Sequence, residues 1–406
     1  MVEGWVKKSI GEMAEIVSGG TPSTNNIDYW NGDISWCTPS DITNCQDVYI
    51  NSTERMITEQ GLDNSSAVML PAGTILLCTR ATIGEMSIAA KPMCTNQGFK
   101  SLIVRKGTNN VFLYYALNLA KKEMISKSYG STFLELSKKA LETIEITVPA
   151  KEEEQNEISK ALEDVDVLIN LLQKEIVKKK KIKYGILQSY VTGKRRIDGF
   201  SSKWEEKTID ELCTLVTKQT GFDYSAEIKP SLVQVHYSNT LPFLQNKDFE
   251  GYSINYDTDF YIPTEVAYKY PKILLDDICL LISISGRIGN VAMFNHDRDA
   301  FVGGAVGVAK FKNPELVEWT MLYLMGTDGQ RQIFENEKAG AQHNLTVEDV
   351  RHLTIPIPGD DERKAITAMM SDIEEDIIHL EQKLEKYKML KQGMMSDLLT
   401  GKIRLV

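Results

Sequence analysis

A long heptad helix that occurs twice constrains this chain more than any other feature. After Pro149 come three glutamates, Glu152, Glu153 and Glu154, and then apolar residues at Ile158, Leu162, Val165, Ile169, Leu172 and Ile176. Alternating steps of four and three place these side chains on one seam of a helix, and such a seam needs a partner helix to cover it. After Pro358 the seam returns at a shift of 208 residues, as Ile366, Met370, Ile373, Ile377, Leu380 and Leu384. The tails match as well. Gly185 corresponds to Gly393, and Thr192-Gly193-Lys194 to Thr400-Gly401-Lys402. A chain that repeats a long heptad helix in this way is built in two halves.

Each helix starts acidic and ends basic. Glu152 to Glu154 and Asp360-Asp361-Glu362 suit the positive end of a helix dipole; Lys178 to Lys181 with Lys183, and Lys383, Lys386, Lys388 and Lys391, suit the negative end. An antiparallel pair sets acid against base at both poles, whereas a parallel pair sets like against like, so the antiparallel coiled coil is expected. About 30 helical residues at 1.5 Å each give a rod of roughly 45 Å. DNA half-sites one turn apart are separated by about 34 Å. The rod could therefore hold two readers on one duplex, or could be a hairpin with no metric role. Residues 178–197 carry no acid. A solvated helix end is the first expectation for this run, with phosphates or a partner subunit as the alternatives.

The halves also begin alike, since Trp5, Ile10, Glu12 and Met13 match Trp204, Ile209, Glu211 and Leu212. Each unit should open with a strand feeding a short helical turn. In residues 14–150, Ser18-Gly19-Gly20-Thr21-Pro22-Ser23 and Asp28-Tyr29-Trp30-Asn31-Gly32-Asp33 read as turn-rich loops, the Asn-Gly pair favouring a tight turn. Residues 34–36 and 74–79 read as strands, 80–84 as a loop, 111–127 as helix, and 144–148 as a closing strand. Residues 201–360 repeat the plan, with 278–283 as the buried strand, Gly286-Arg287-Ile288-Gly289 as the loop, and Leu136 aligned with Leu345. The surface loops differ: Lys218-Gln219-Thr220-Gly221-Phe222 stands where the first half has its Gly-Gly loop. Retained scaffold and altered loops suit one fold reading two different things.

Much chemistry is missing. The chain has no Walker-type phosphate loop, no Asn/Asp-Pro-Pro-Tyr/Phe stretch of an amino-methyltransferase, and no ligand or triad spacing among His236, His296, His343, His352 and His379. Glu227-Ile228-Lys229 has the local form of a nuclease strand without its Pro-Asp partner. The cysteines form no CxxC pair and read as free thiols. A net charge of −10 counts against a surface that wraps nucleic acid throughout and leaves room for local basic patches, and no apolar run approaches a membrane span of roughly 20 residues. The N-terminus lacks a signal-peptide pattern, so a cytoplasmic, non-catalytic protein is expected.

With the paired helices, the repeated Thr-Gly-Lys tail and the run from Ser18-Gly19-Gly20-Thr21-Pro22-Ser23 to Tyr29-Trp30-Asn31-Gly32-Asp33-Ile34 in view, the chain resembles the specificity subunit of type I restriction–modification systems. Arg80-Ala81-Thr82-Ile83-Gly84, Thr95-Asn96-Gln97-Gly98-Phe99 and Gln342-His343-Asn344-Leu345 add to the resemblance. It implies an α+β chain with two duplicated α/β target-recognition domains, 1–151 and 201–360. The helical segments 152–200 and 361–406 would form an antiparallel, pseudo-twofold coiled-coil spacer. It implies partners: double-stranded DNA, two methyltransferase subunits bringing S-adenosylmethionine, and restriction–translocase subunits bringing ATP and Mg, with no cofactor or metal on this chain. Bases are read by Arg, Lys, Asn, Gln, Ser and Thr from loops. The candidate contacts are therefore Thr21, Ser23, Ser40, Arg80, Thr82 and Lys100 in the first unit. In the second they are Lys218, Thr220, Lys247, Ser285, Arg287, Gln342 and Asn344. Turn-forming roles compete at Thr21, Ser23 and Thr82, and phosphate contact is the expectation for Arg80 and Arg287. A helical adaptor without DNA readout, or an enzyme with an unrecognised site, are the other readings.

Overall fold

The computed structural model describes residues 2–45, 47–130, 134–335 and 344–405. Two compact units divide the chain, Met1–Glu175 with Leu380–Val406, and Ile176–His379. Each contains one globular α/β body and the facing ends of both long helices.

The opening motif of each half is a strand and a capping box. Trp5–Ser9 pairs antiparallel with Glu145–Pro149, and Glu205–Thr208 with Thr354–Ile357. Ser9 and Thr208 then cap the short helices Ile10–Met13 and Ile209–Leu212, with Glu12 and Glu211 reaching back to the cap N–H groups at 2.7 Å. Those backbone hydrogen bonds hold both carboxyls below their ordinary range. The glutamate repeated in sequence is thus a helix-start residue.

In the first unit the larger sheet has the order Ala14–Ser18, Phe99–Val104, Ile75–Cys78, Met86–Ala89, Tyr49–Ile50. In the second, Cys213–Lys218, Val306–Phe311, Cys279–Ser283 and Val291–Phe294 repeat the first four places. Ile75–Cys78 and Cys279–Ser283 are buried along their whole length, as expected of unbroken apolar runs covered on both faces. A smaller sheet accompanies each. In it Trp30–Cys37 runs parallel to Cys94–Thr95, and Thr240–Leu244 parallel to Ala300–Val302. One expectation fails here. Asn31-Gly32 is no tight turn but lies inside the strand Trp30–Cys37, at an irregularity in its register with Arg55–Ile57. Asn31 takes φ 61°, and a Cβ on Gly32 would come within 2.6 Å of the Ile57 carbonyl oxygen. The pair makes a bulge against the neighbouring strand.

The long helices are Glu152–Ile186 and Asp360–Leu398. At 35 and 39 residues they exceed the length read from the sequence, spanning about 52 and 58 Å. In the first unit Asp166 meets Lys391 at 2.6 Å and Glu154 meets Arg404 at 2.7 Å. In the second, Lys179 meets Asp376 at 2.5 Å, and Lys183 pairs with Glu374. Rising numbers on one helix face falling numbers on the other in each unit, so the pair is antiparallel. Part of the lysine run is therefore neither solvated nor reserved for phosphate; it binds acids of the other helix. Val165, Ile373 and Leu380 of the seam are half-buried and the rest are buried. Ile158 and Leu162 join the first unit's core beside Leu398 and Leu399, and Ile366 and Met370 join the second's beside Leu187 and Val191. Each seam thus begins by docking onto a globular body.

The repeated tail has a physical reason. Gly193 and Gly401 take φ 71° and 72°, the left-handed conformation that ends a helix cheaply only at glycine. Trp204 and Trp5 lie against them within 3.3 Å of where a Cβ would stand. Each indole donates to a buried carboxylate, Trp5 Nε1 to Glu154 at 3.2 Å and Trp204 Nε1 to Glu362 at 2.9 Å, and an arginine clamps each acid, Arg404 and Arg196. The start of one helix, the tail of the other and the first strand are tied together in both units.

Candidate nucleic-acid interface

In the first unit the interface is built at the end of the larger sheet where Ser18 faces Lys100 and Cys78 faces Phe99. Gly19 N–H donates to the Phe99 carbonyl at 3.4 Å, Gly20 N–H to Thr95 at 2.9 Å, Thr79 N–H to Gly98 at 2.8 Å and Asn96 N–H to Cys37 at 3.1 Å. These bonds gather residues 19–23, 38–40, 79–84 and 95–98 at one rim. Glycine is required where they cross: a Cβ on Gly19 would overlap the Asn96 carbonyl, and one on Gly20 the backbone of Ser66 and Ala67. Two tryptophans fix the loop from below. Trp36 Nε1 donates to the Gly20 carbonyl at 2.9 Å and Trp30 Nε1 to the Ser23 carbonyl at 3.1 Å. The exposed Arg55 guanidinium lies 3.8 Å over the Trp30 ring.

This rim carries the first unit's candidates. Thr21 Oγ1 bonds Gln97 Oε1, Ser23 and Ser40 are exposed, and Thr82 is half-buried in the loop after Arg80. Arg80 and Lys100 meet on one acid: Glu135 lies 2.8 Å from Arg80 Nη2 and 3.6 Å from Lys100 Nζ.

The equivalent end of the second unit is assembled the same way. Lys218 faces Gly307, and Ile284 N–H donates to Ala305 at 2.9 Å. Arg80 and Glu135 form a backbone bridge followed by Leu136 N–H to Thr79 at 3.0 Å; Ser285 and Asn344 form the same bridge, followed by Leu345 N–H to Ile284 at 2.8 Å. Left-handed residues recur in step along the loop that follows. Ala81 and Gly286 take φ 56° and 74°, and Gly84 and Gly289 take φ 87° and 81°. Ser285 therefore occupies the place of Arg80, and Arg287 that of Thr82. Both arginines follow the same buried strand of their units, but Arg287 stands two places further along the loop than Arg80.

The remaining candidates divide. Lys218 and Arg287 are exposed at the rim. Asn246 Nδ2 donates to the Ser285 carbonyl at 3.0 Å, which sets neighbouring Lys247 beside the rim, although Lys247 is paired with Asp259. Thr220 caps the turn Gly221–Asp223 and donates to Asp223 at 2.6 Å, a local structural role. Gln342 and His343 lie outside the described residues. Sequence reasoning passed over Glu135, Gln97, Arg55 and Gln219. Gln97 sits in a segment already singled out, and the alignment of Leu136 with Leu345 makes Glu135 the counterpart of Asn344. Gln219 likewise sits in the Lys218–Phe222 loop already singled out, and Arg55 gave no signal. Gln219 is buried with both amide atoms unpartnered, next to Gly304.

No site for catalysis emerges among the described residues. Glu227 pairs with Lys269 and accepts from Tyr270 at 2.8 Å, bonds that hold its carboxyl below the ordinary range. All six cysteines are free, and burial pushes the Cys94 thiol up to about 11 and Cys78 up to about 12. No group of three or more His, Cys, Asp or Glu could hold a metal, and no helix is long and apolar enough to cross a membrane, among the described residues.

The model of the type I restriction modification DNA specificity domain matches residues 2–181 and again 201–387. The MjaIX specificity subunit of a type I restriction enzyme from Methanocaldococcus jannaschii is 41% identical over 173 residues, 42% of this chain and 40% of that one. The MjaVIII specificity subunit of the same organism is 25% identical across 85% of this chain and 82% of its own length. Among solved structures, the type I restriction–modification S subunit from M. genitalium shares the fold, with a TM-score of 0.63, 13% identity, and coverage of 97% of this chain and 96% of that one. The chain belongs to the type I restriction modification DNA specificity family. Its role is DNA sequence specificity, and it is not itself an enzyme.

Proposed function

We propose that each globular body reads one half of a bipartite DNA target through its loop rim, and that the paired long helices set the unread spacer and dock methyltransferase subunits. One observation carries the reading. The strand end, its bridge and the bonds of the loop that follows recur in both units, while the side chains presented there differ. Thr21, Ser23, Ser40, Arg80, Thr82 and Lys100 would contact the first half-site. Lys218, Lys247, Ser285, Arg287 and Asn344 would contact the second, and Gln342 keeps its place in the proposal on sequence alone. The methyltransferase subunits would bring S-adenosylmethionine, and restriction–translocase subunits ATP and Mg. The acidic balance of the chain, −10 overall, suits a scaffold whose partners supply much of the positive surface.

The test is co-expression with the methyltransferase subunits and mapping of methylated sites. Exchanging residues 14–150 for those of a relative should change one half of the target and leave the other half intact. A change in both halves, or in neither, would sink the proposal.

A further inference from the structure

The two rims differ in charge at one shared place. In the first unit Glu135 holds Arg80 at 2.8 Å and Lys100 at 3.6 Å, with Lys100 only 8% exposed. The corresponding places in the second unit are Asn344, Ser285 and Gly307, which carry no charge. The scaffold does not demand the charges, because the second unit makes the same backbone bridge without them.

A carboxylate at a DNA-facing rim is costly if its neighbours serve phosphate, because it repels the polyanion they are meant to bind. It is useful if the arginine beside it reads a base. A guanidinium has five donors in a rigid fork, so one edge can be held by a carboxylate while the other meets a guanine O6 and N7. Arg80 Nη2 forms an ion pair with Glu135 at 2.8 Å, its side chain is 45% exposed, and among the described residues Glu135 is its acidic partner. We infer that Arg80 reads a guanine in the first half-site and that Glu135 is the positioning residue that aims it. The inference rests on the proposed DNA-reading role of the rim and replaces phosphate contact as the role of Arg80.

The experiment uses the full chain assembled with its methyltransferase subunits on a library of randomised targets. Arg80→Ala should lose the guanine preference at one position of the first half-site, by roughly 10- to 100-fold, with the second half-site unchanged. Glu135→Ala should relax that same position, Glu135→Gln should relax it less because the amide oxygen still accepts, and Arg80→Lys should not restore it. If Arg80→Ala weakens all sequences equally and lowers the salt slope by about one, Arg80 is a phosphate contact and the inference fails. It also fails if Glu135→Ala and Glu135→Gln leave the preference intact. The underlying reading fails separately, if exchanging residues 14–150 leaves the first half-site unchanged. Retention of the second half-site by each variant shows that the chain has folded.

Discussion

At the scale of single residues, the glycines and buried carboxylates make opposite demands. Gly20 has no room for a methyl group, since the Ser66–Ala67 backbone occupies the space. Gly20→Ala should cost about 1–3 kcal/mol and disturb the loop that carries Thr21 and Ser23. The check is a thermal melt alongside methylation mapping, with loss confined to the first half-site. Glu362 tests the charge side. The Arg196 guanidinium, helped by the Trp204 indole, holds its carboxyl below the ordinary value of 4.5. A depressed carboxyl contributes stability that is present above its unfolded value and lost as pH falls through its folded value. The wild-type chain should therefore lose stability below about pH 4.5 partly through this group. Glu362→Ala should cost about 2–3 kcal/mol near neutral pH by leaving Arg196 and Trp204 without their acceptor, less than for a fully buried pair because Arg196 keeps some access to water. It should also flatten the acid side of the profile measured by denaturant unfolding.

At the scale of elements, each long helix contains a glycine that packing does not require. Gly185 and Gly393 lie in helical backbone, with nothing within 4 Å of where a Cβ would stand. Gly185→Ala and Gly393→Ala should each stabilise the chain by about 0.5–1 kcal/mol, because alanine loses less backbone entropy in a helix. Chemical denaturation of the isolated subunit measures this, and a loss of stability would mean that the glycines serve a contact or bend the helix. Gly193 and Gly401 differ from them despite sharing the repeat. Their left-handed φ and the tryptophans against them leave no such freedom.

At the scale of the whole molecule, the prediction concerns the spacer. Inserting about one helical turn after Leu172 should lengthen the unread spacer and leave both half-sites unchanged, as read by methylation mapping. Altered half-sites would show that the helices do not act as a spacer. The two halves, the antiparallel pairing and most strands were legible because duplication, heptad period and opposed end charges are properties of local sequence. A heptad period and unbroken apolar runs report which faces must be buried before any fold exists. The bulge at Asn31-Gly32 was not legible, because a turn pair next to a neighbouring strand obeys the strand. Nor was the Trp–Glu–Arg clamp, whose members lie as far as 250 residues apart in the Arg404–Glu154 bond. The sequence by itself determined that a scaffold is used twice with different loops. Only the tertiary structure decided that Glu135 faces Arg80 and Lys100 while Asn344 faces Ser285, because those meetings follow from strand register across the sheet, and register is set by long-range packing.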